Sequence, residues 1–383
     1  MFSSDGVKRV GVAIGEYVLD LDKVFRGEFF NAIHSENVYL VDYLNDFISL
    51  GKEKTNAVRL LIQDELQSNN SLLKSKFNEF FYRQSHVTMH LPIRIGDFTD
   101  FYSSEHHAEN VGKLFRDGPS LTPNWKHMPL AYNGRASSIV VSGTDIYRPK
   151  GQFIKEGSEF PTYGPTNFLD FELELATIIG KESSLGDVIS CDNARDYIFG
   201  YALLNDWSAR DFQRWEYQPL GPFTAKSFAS TMSAWVVTAE ALEPFKSKVQ
   251  HREDQLNYLQ SKDLYSYDIN LKVKLNSEEI TVTNFNNLYW TPSQQIAHHT
   301  VNGCNLRVGD VLASGTVSGP EEKGKGCLLE ITEGGASPLE LTDDAVRSNL
   351  IDGDKVELTG VCINGNIKVG FGENFGEIKK TKK

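Results

Sequence analysis

Apolar and polar positions change rhythm along this chain of 383 residues. Near the start, VGVAIGEYVLDLDKVF carries short apolar runs broken by Gly and acids, which predicts a hairpin of strands. From Asn37 to about Leu66 the spacing turns helical in VYLVDYLNDFISL and AVRLLIQDEL, and LLKSKFNEFF predicts a third helix. HVTMHLPIRIGDF then alternates, as a linker or a strand would. Strand and turn patterns dominate beyond Leu91 and Pro92, so a boundary is placed there, dividing the chain into residues 1–92 and 93–383. The second part holds short alternating runs: SSIVVSG, FELELATIIG, INLKVKLN, EEITVTNF, KVELTGVCING and IKVGFG. Such runs, separated by Gly-rich breaks, predict a mostly β body. Helical inserts are expected at RDFQRWEY and PSQQIAHHTV.

Several stretches combine these patterns with reactive side chains. LDFELEL alternates strictly, so one strand would place Leu169, Phe171, Leu173 and Leu175 on one face and Asp170, Glu172 and Glu174 on the other. A solvated edge strand and a hard-cation site both fit that acidic face; a bound cation would relieve the repulsion between the carboxylates. The apolar run YALL ends in Asn205-Asp206. If a helix follows, Arg210, Gln213 and Tyr217 fall on one polar stripe that suits an oxyanion or a carboxylate. Lys226 lies in a Gly/Pro-bounded segment and on its own reads as a surface lysine. LASGTVSG, around Thr316, predicts a tight loop that lets backbone approach a ligand. CLLEIT predicts an apolar strand bearing Glu330, an acid that needs a partner if buried. TDFYSSEHHAEN sets His106 and His107 near Asp100 and Glu105. His298 and His299 fall on a predicted helix with no acid spaced to orient them, and read as structural.

Composition narrows the classes. Hydrophobic residues make up 40% and charged residues 23%, which is globular. A net charge of −12 argues against nucleic-acid or anionic-membrane partners. The cysteines, Cys191, Cys304, Cys327 and Cys362, show no C-x-x-C spacing, which fits a reducing cytosol. No apolar run reaches the roughly 18 residues of a membrane span, and the N-terminus has no apolar signal core, so a cytoplasmic protein is expected. There is no GxGxxG, P-loop, H-E-x-x-H or G-x-S-x-G, which argues against nucleotide, zincin and α/β-hydrolase chemistry.

Taken together, DFTDFYSS, HAENVG, GRASSIVVSGT, NDWSARD, WEYQPLGPF, KSF, VNGCNLRVGD and LASGT make the whole chain resemble the fumarylacetoacetate hydrolase family. The resemblance implies a small SH3-like N-terminal barrel followed by a larger β-roll catalytic domain, in a homodimer. It matches Asp100, Glu172, Glu174 and Asp206 to the carboxylates of a divalent metal, Ca²⁺ or Mg²⁺ and also Mn²⁺. Lys226 and Ser230 match a second, Mg²⁺-type position, where Ala229 and Ser230 replace a Gly-Thr pair. His107, in the H-A-x-N-V-G string, matches the general base, and Glu330 the acid that orients it; His106 matches no role. Arg210, Gln213 and Lys226 match donors to a developing oxyanion. Tyr102, Arg116, Gln213, Tyr217 and Thr316 match contacts to a small-molecule substrate. Asn133 stands where a histidine is usual.

The implied reaction is hydrolysis of a β-diketo acid, fumarylacetoacetate, to fumarate and acetoacetate, the last step of tyrosine and phenylalanine catabolism. Two alternatives remain at this level: an acylpyruvate hydrolase or β-keto acid decarboxylase of the same superfamily, and a non-catalytic protein that keeps the fold. Hydrolysis needs a base for water whereas decarboxylation does not, and a non-catalytic relative would be expected to have lost the base or a metal carboxylate. All of those residues are present.

Overall fold

A computed structural model describes residues 1–26, 38–249, 255–342 and 344–382. Asn37, where helical spacing was expected to begin, lies outside the described residues. Among those described, strand outweighs helix.

The centre is one large sheet. Its strands run in the order Ala131–Asn133, Phe98–Phe101, Val311–Ala313, Leu173–Ile179, Ile198–Asp206, Ser230–Met232 and Ile139–Val141, and Val237–Thr238 also pairs with Ile198–Asp206. Leu173–Ile179 and Ile198–Asp206 are buried at every position. They read as near-continuous apolar runs because both faces of the sheet are covered. On one face, Leu173, Leu175, Tyr201 and Leu203 join a core with Leu271, Val273, Leu358 and Phe371. Those last four belong to a second sheet, ordered Glu278–Asn284, Asn270–Leu275, Lys355–Asn364, Ile367–Lys379 and Ile146–Tyr147. Its inner strands alternate buried and partly buried positions, as expected of a sheet with only one face in the core. On the other face of the central sheet, Ala176, Ile178, Ala202 and Leu204 meet Leu19, Phe25, Val58 and Ile62 from the N-terminal part.

That N-terminal part opens with the expected hairpin, Gly11–Ile14 against Tyr17–Asp20, extended by Phe81–Arg83. The chain then turns into a helix, Leu21–Arg26, which the hairpin pattern hid. Of the expected helices, AVRLLIQDEL lies within Lys52–Gln67. The other two are largely absent. VYLVDYLNDFISL yields only Asn45–Ile48, because Tyr39 instead stacks on Phe25, with ring centroids 4.6 Å apart, and leans on Phe47. LLKSKFNEFF breaks into two single turns, Leu72–Ser75 and Phe77–Phe80. The helices at RDFQRWEY and PSQQIAHHTV are present as Arg210–Glu216 and Pro292–Thr300.

Two further corrections bear on the site. LDFELEL is not one strand: Leu169–Asp170 pairs with Ser208–Ala209, and only Leu173–Ile179 belongs to the central sheet. No face of it is solvated, since Asp170, Glu172 and Glu174 are all buried. CLLEIT is not a strand but a single helical turn, Leu328–Ile331. An apolar run this short carries no period that separates the two. The turn is set from outside itself: the backbone N–H groups of Leu328 and Leu329 donate to the Asp170 carboxylate at 2.7 and 3.0 Å.

Candidate active site

Strand register gathers the acids at one end of the central sheet. Asp100 pairs with Ala313, Ala313 with Ala176, Glu174 with Leu204, and Asp206 with Ser230. Alternation then puts Asp100, Glu174 and Asp206 on the face that carries Phe98, Ala176 and Leu204. Glu172 joins them from just before its strand. Carboxylate oxygens of Asp100, Glu172, Glu174 and Asp206 lie within 4.8 Å of one another, and all four residues are buried. Lys226, 6% exposed rather than on the surface, sits between two of them, 2.5 Å from Glu172 and 2.7 Å from Asp206. Ser230 Oγ donates to Asp206 at 2.9 Å, as does the Tyr132 hydroxyl.

This cluster is short of positive charge. Lys226 and Arg210 are its nearest cations, and Arg210 is shared with Asp170. Burial would raise the Glu172 carboxyl, but Lys226 and Arg210 outweigh it and hold Glu172 well below the carboxylate range. Burial and then their acidic neighbours push Asp100 and Glu174 well above that range. Both carboxylate oxygens of Glu174 and one of Asp100 lack any hydrogen-bond partner. A buried acid without a donor is costly. An all-oxygen, multiply acidic donor set with unpaired lone pairs fits a hard divalent cation.

The opening of the helix Glu105–Phe115 distinguishes the twin histidines. Ser104 caps it, its Oγ accepting from the His107 backbone N–H. His107 is buried, whereas His106, a third of a turn away, is partly exposed. His107 Nδ1 lies 2.7 Å from Glu330 Oε2. Glu330 also accepts from Asn110 Nδ2 at 2.9 Å, Ser318 Oγ at 2.8 Å and Cys327 Sγ at 3.1 Å. Burial works against these contacts, yet His107 and the donors draw the Glu330 carboxyl down to about 2. An ionised Glu330 is an acceptor for an Nδ1–H, a contact that selects the tautomer whose lone pair is on Nε2.

The remaining residues divide. Arg210, 3% exposed, holds Asp170 at 2.8 Å and Glu172 at 2.7 Å, and donates to Gln213 Oε1 at 2.9 Å. Tyr102 stands edge-on to His107, ring centroids 5.3 Å apart. Thr316 is buried with its hydroxyl unpartnered. It follows Gly315, whose φ of +75° and close approach to the Phe101 carbonyl leave no room for a side chain. The tight loop therefore presses on neighbouring backbone. Arg116 and Tyr217 make their direct contacts elsewhere: Arg116 with the Ser120 carbonyl, and Tyr217 edge-on to Phe115. His298 and His299 bond to Tyr258 and Thr99, away from the acids.

Sequence reasoning missed Tyr132, Asn110, Ser318, Cys327 and the separate role of Asp170. The signals were thin. Asn110 lies one helical step from His107, and Tyr132 is the middle residue of a three-residue strand.

Comparison with known proteins places the chain. The family model described as fumarylacetoacetase N-terminal matches residues 1–92, and that described as fumarylacetoacetate (FAA) hydrolase C-terminal matches residues 97–381. The chain belongs to the fumarylacetoacetate hydrolase family. Within that family it is 47% identical to the fumarylacetoacetase of Arabidopsis thaliana, over 98% of this chain and 92% of that one. It is 45% identical to the Homo sapiens fumarylacetoacetase, over 97% and 91%. Among solved structures, it resembles the fumarylacetoacetate hydrolase of Exiguobacterium antarcticum with a TM-score of 0.57 at 18% identity, covering 99% of this chain and 98% of that one. It also resembles a maleylpyruvate hydrolase from Sphingobium sp. SYK-6, solved with manganese(II) and pyruvate, with a TM-score of 0.55 at 15% identity, covering 100% and 98%. At those identities the structural likeness speaks for the fold alone.

Proposed function

We propose that this protein hydrolyses the carbon–carbon bond of fumarylacetoacetate, giving fumarate and acetoacetate, the closing step of tyrosine and phenylalanine catabolism. The observation that carries this reading is the buried His107–Glu330 pair, 2.7 Å apart, in a protein that also buries the acid cluster. Full-length relatives named fumarylacetoacetase support the substrate. The pair also counts against a decarboxylase, which needs no base for water.

In this reading His107 Nε2 takes a proton from water while Glu330 steadies the imidazolium. The hydroxide adds to the carbonyl carbon on the fumaryl side. Arg210, Gln213 and Lys226 stabilise the tetrahedral alkoxide, at about 3–4 kcal/mol per well-placed donor. The carbon–carbon bond then breaks, its electron pair leaves with the acetoacetate carbon as an enolate, and His107 returns the proton. Tyr102, Arg116, Tyr217 and Thr316 orient the substrate. The residues that would hold a cation are Asp100, Glu172, Glu174 and Asp206, with the Ser230 hydroxyl beside Asp206; Lys226, an ammonium paired with Glu172 and Asp206, balances their charge instead of ligating. Bound Ca²⁺, Mg²⁺ or Mn²⁺ would supply Lewis acidity and a template for the diketone oxygens.

The same reading takes residues 1–92 as a small SH3-like barrel and 93–383 as the β-roll catalytic domain, in a cytoplasmic homodimer. The N-terminal three-stranded sheet supports the barrel, and among the described residues no helix is long and apolar enough to cross a membrane. The test is ultraviolet loss of the diketone absorbance, with chromatographic detection of both products. Folded, metal-supplemented protein that leaves fumarylacetoacetate intact would overturn the reading.

A further inference from the structure

One buried carboxylate stands outside the acid cluster although the sequence groups it there. Asp170 is fully buried, and each of its oxygens accepts two donors. Oδ1 takes the Phe171 N–H at 2.8 Å and the Leu328 N–H at 2.7 Å. Oδ2 takes the Leu329 N–H at 3.0 Å and Arg210 Nε at 2.8 Å. Leu328 and Leu329 open the single turn that carries Glu330, and that turn has no side-chain cap of its own. Arg210 opens the helix that carries Gln213 and is followed by Tyr217.

We propose that Asp170 is a positioning residue that fixes the oxyanion donor Arg210 and the Glu330 turn to one another. The proposal rests on the function given above. Asp170 touches neither His107 nor the acid cluster's orphaned oxygens, so its role is exerted through its two partners. A one-turn helix is not stable alone. Without an acceptor for its first N–H groups, the turn would lose its orientation and Glu330 would drift from His107 Nδ1. The guanidinium would at the same time lose the acceptor that fixes its Nε edge. Catalytic groups tolerate only about half an ångström of such looseness. The charge is also matched: a buried guanidinium needs a carboxylate that is not committed to a metal, and Glu172, its other partner, is shared with Lys226.

Asp170→Asn tests this. It is nearly isosteric, but its amide nitrogen must face two donors, so one arm always loses its acceptor. The expected result is a folded protein, by thermal unfolding and elemental analysis of bound metal, with kcat lower by at least ~10-fold and KM within ~3-fold. Loss should be less than additive when Asp170→Asn is combined with Glu330→Gln or with Arg210→Ala, because residues acting as a unit do not add. A kcat within ~2-fold of wild type, or additive losses in both pairs, overturns the proposal. A simple packing defect would lower thermal stability without this split between kcat and KM. If Asp170→Asn does not fold, Asp170→Glu is measured instead, since it keeps both acceptor oxygens and the charge but displaces them. Reduced kcat at unchanged KM then supports positioning, and wild-type kcat overturns it. Wild-type turnover in the same assay separates the two readings: an inactive wild type faults the assigned reaction, whereas an active wild type with an equally active variant faults only the role of Asp170.

Discussion

His107 and Glu330, 223 positions apart in sequence, meet at 2.7 Å inside the protein. Neither comes from a strand of the sheet that supplies the acid cluster. His107 stands in the first turn of a capped helix and Glu330 on an isolated turn, so their alignment depends on the caps and donors around them. Ser104 is common to both sides: its Oγ accepts from the His107 N–H and donates to the Ser318 carbonyl, and Ser318 in turn donates to Glu330.

Glu330→Gln should therefore fold and keep its metal, since no carboxylate of the acid cluster is touched. Its turnover should fall, because a neutral amide neither fixes the Nδ1–H tautomer nor stabilises the imidazolium. Combined with His107→Ala it should be scarcely worse than His107→Ala alone. Steady-state kinetics of the two single variants and the double variant decide this. Additive losses would mean that Glu330 acts independently of His107.

The neighbouring histidine provides a second comparison. His107→Ala should reduce turnover by at least ~10²-fold, the usual scale for a general base. His106→Ala should stay within a few-fold, since His106 is partly exposed and it is His107 that pairs with Glu330. The reverse order of effects would reassign the base.

Much of this site was legible in the chain, and the illegible parts have physical causes. Acids in or at the end of apolar runs are conspicuous, which marked Asp170, Glu172, Glu174 and Asp206, but the set that takes Asp100 and leaves out Asp170 came from the family resemblance. The local reading of Lys226 as a surface lysine failed because burial is decided by partners far away in sequence, here Glu172 and Asp206. Glu330 was expected on a strand, since four apolar residues have no period and the carboxylate that shapes the turn lies more than 150 residues earlier. LDFELEL alternates perfectly yet breaks in two; pattern alone does not reveal that Asp170 answers to Arg210 and Glu174 to the acid cluster.

Removing the metal should change stability as well as activity, with a defined pH dependence. Asp100 and Glu174 have folded-state pKa values raised well above their ordinary values. Groups raised in this way contribute stability that is fully present below the unfolded pKa and is lost as pH rises through the folded pKa. Metal-stripped protein should thus unfold at progressively lower temperature as pH rises above the ordinary carboxylate range, beyond the window in which Glu172 and Glu330 titrate. Protein loaded with Ca²⁺, Mg²⁺ or Mn²⁺ should lose most of that slope, because the cation takes the place of the protons. Calorimetry of stripped and reloaded protein across this range is the measurement, with chelation abolishing turnover in parallel. Equal slopes with and without metal would rule out a cation on these carboxylates.

Lys226 supplies the last test, since it neutralises the cluster without being able to replace a metal. Its ammonium sits 2.5 and 2.7 Å from Glu172 and Asp206. Burial opposes that charge, but Asp206 and Glu172 hold its pKa above the ordinary lysine value. Lys226→Met keeps most of the side-chain volume and removes the charge together with its N–H donors. Breaking a buried pair by deleting one partner typically costs about 3–5 kcal/mol, because the other charge is left uncompensated. The variant should therefore be markedly less stable than wild type without metal, and the gap should narrow as added divalent cation restores charge balance. Turnover should remain low even in the metal-loaded variant, since an oxyanion donor is missing. Thermal unfolding with and without metal, together with kcat on the loaded protein, separates the two effects. A Lys226→Met enzyme that regains both stability and full turnover on loading would restrict Lys226 to charge balance and exclude it from the oxyanion site.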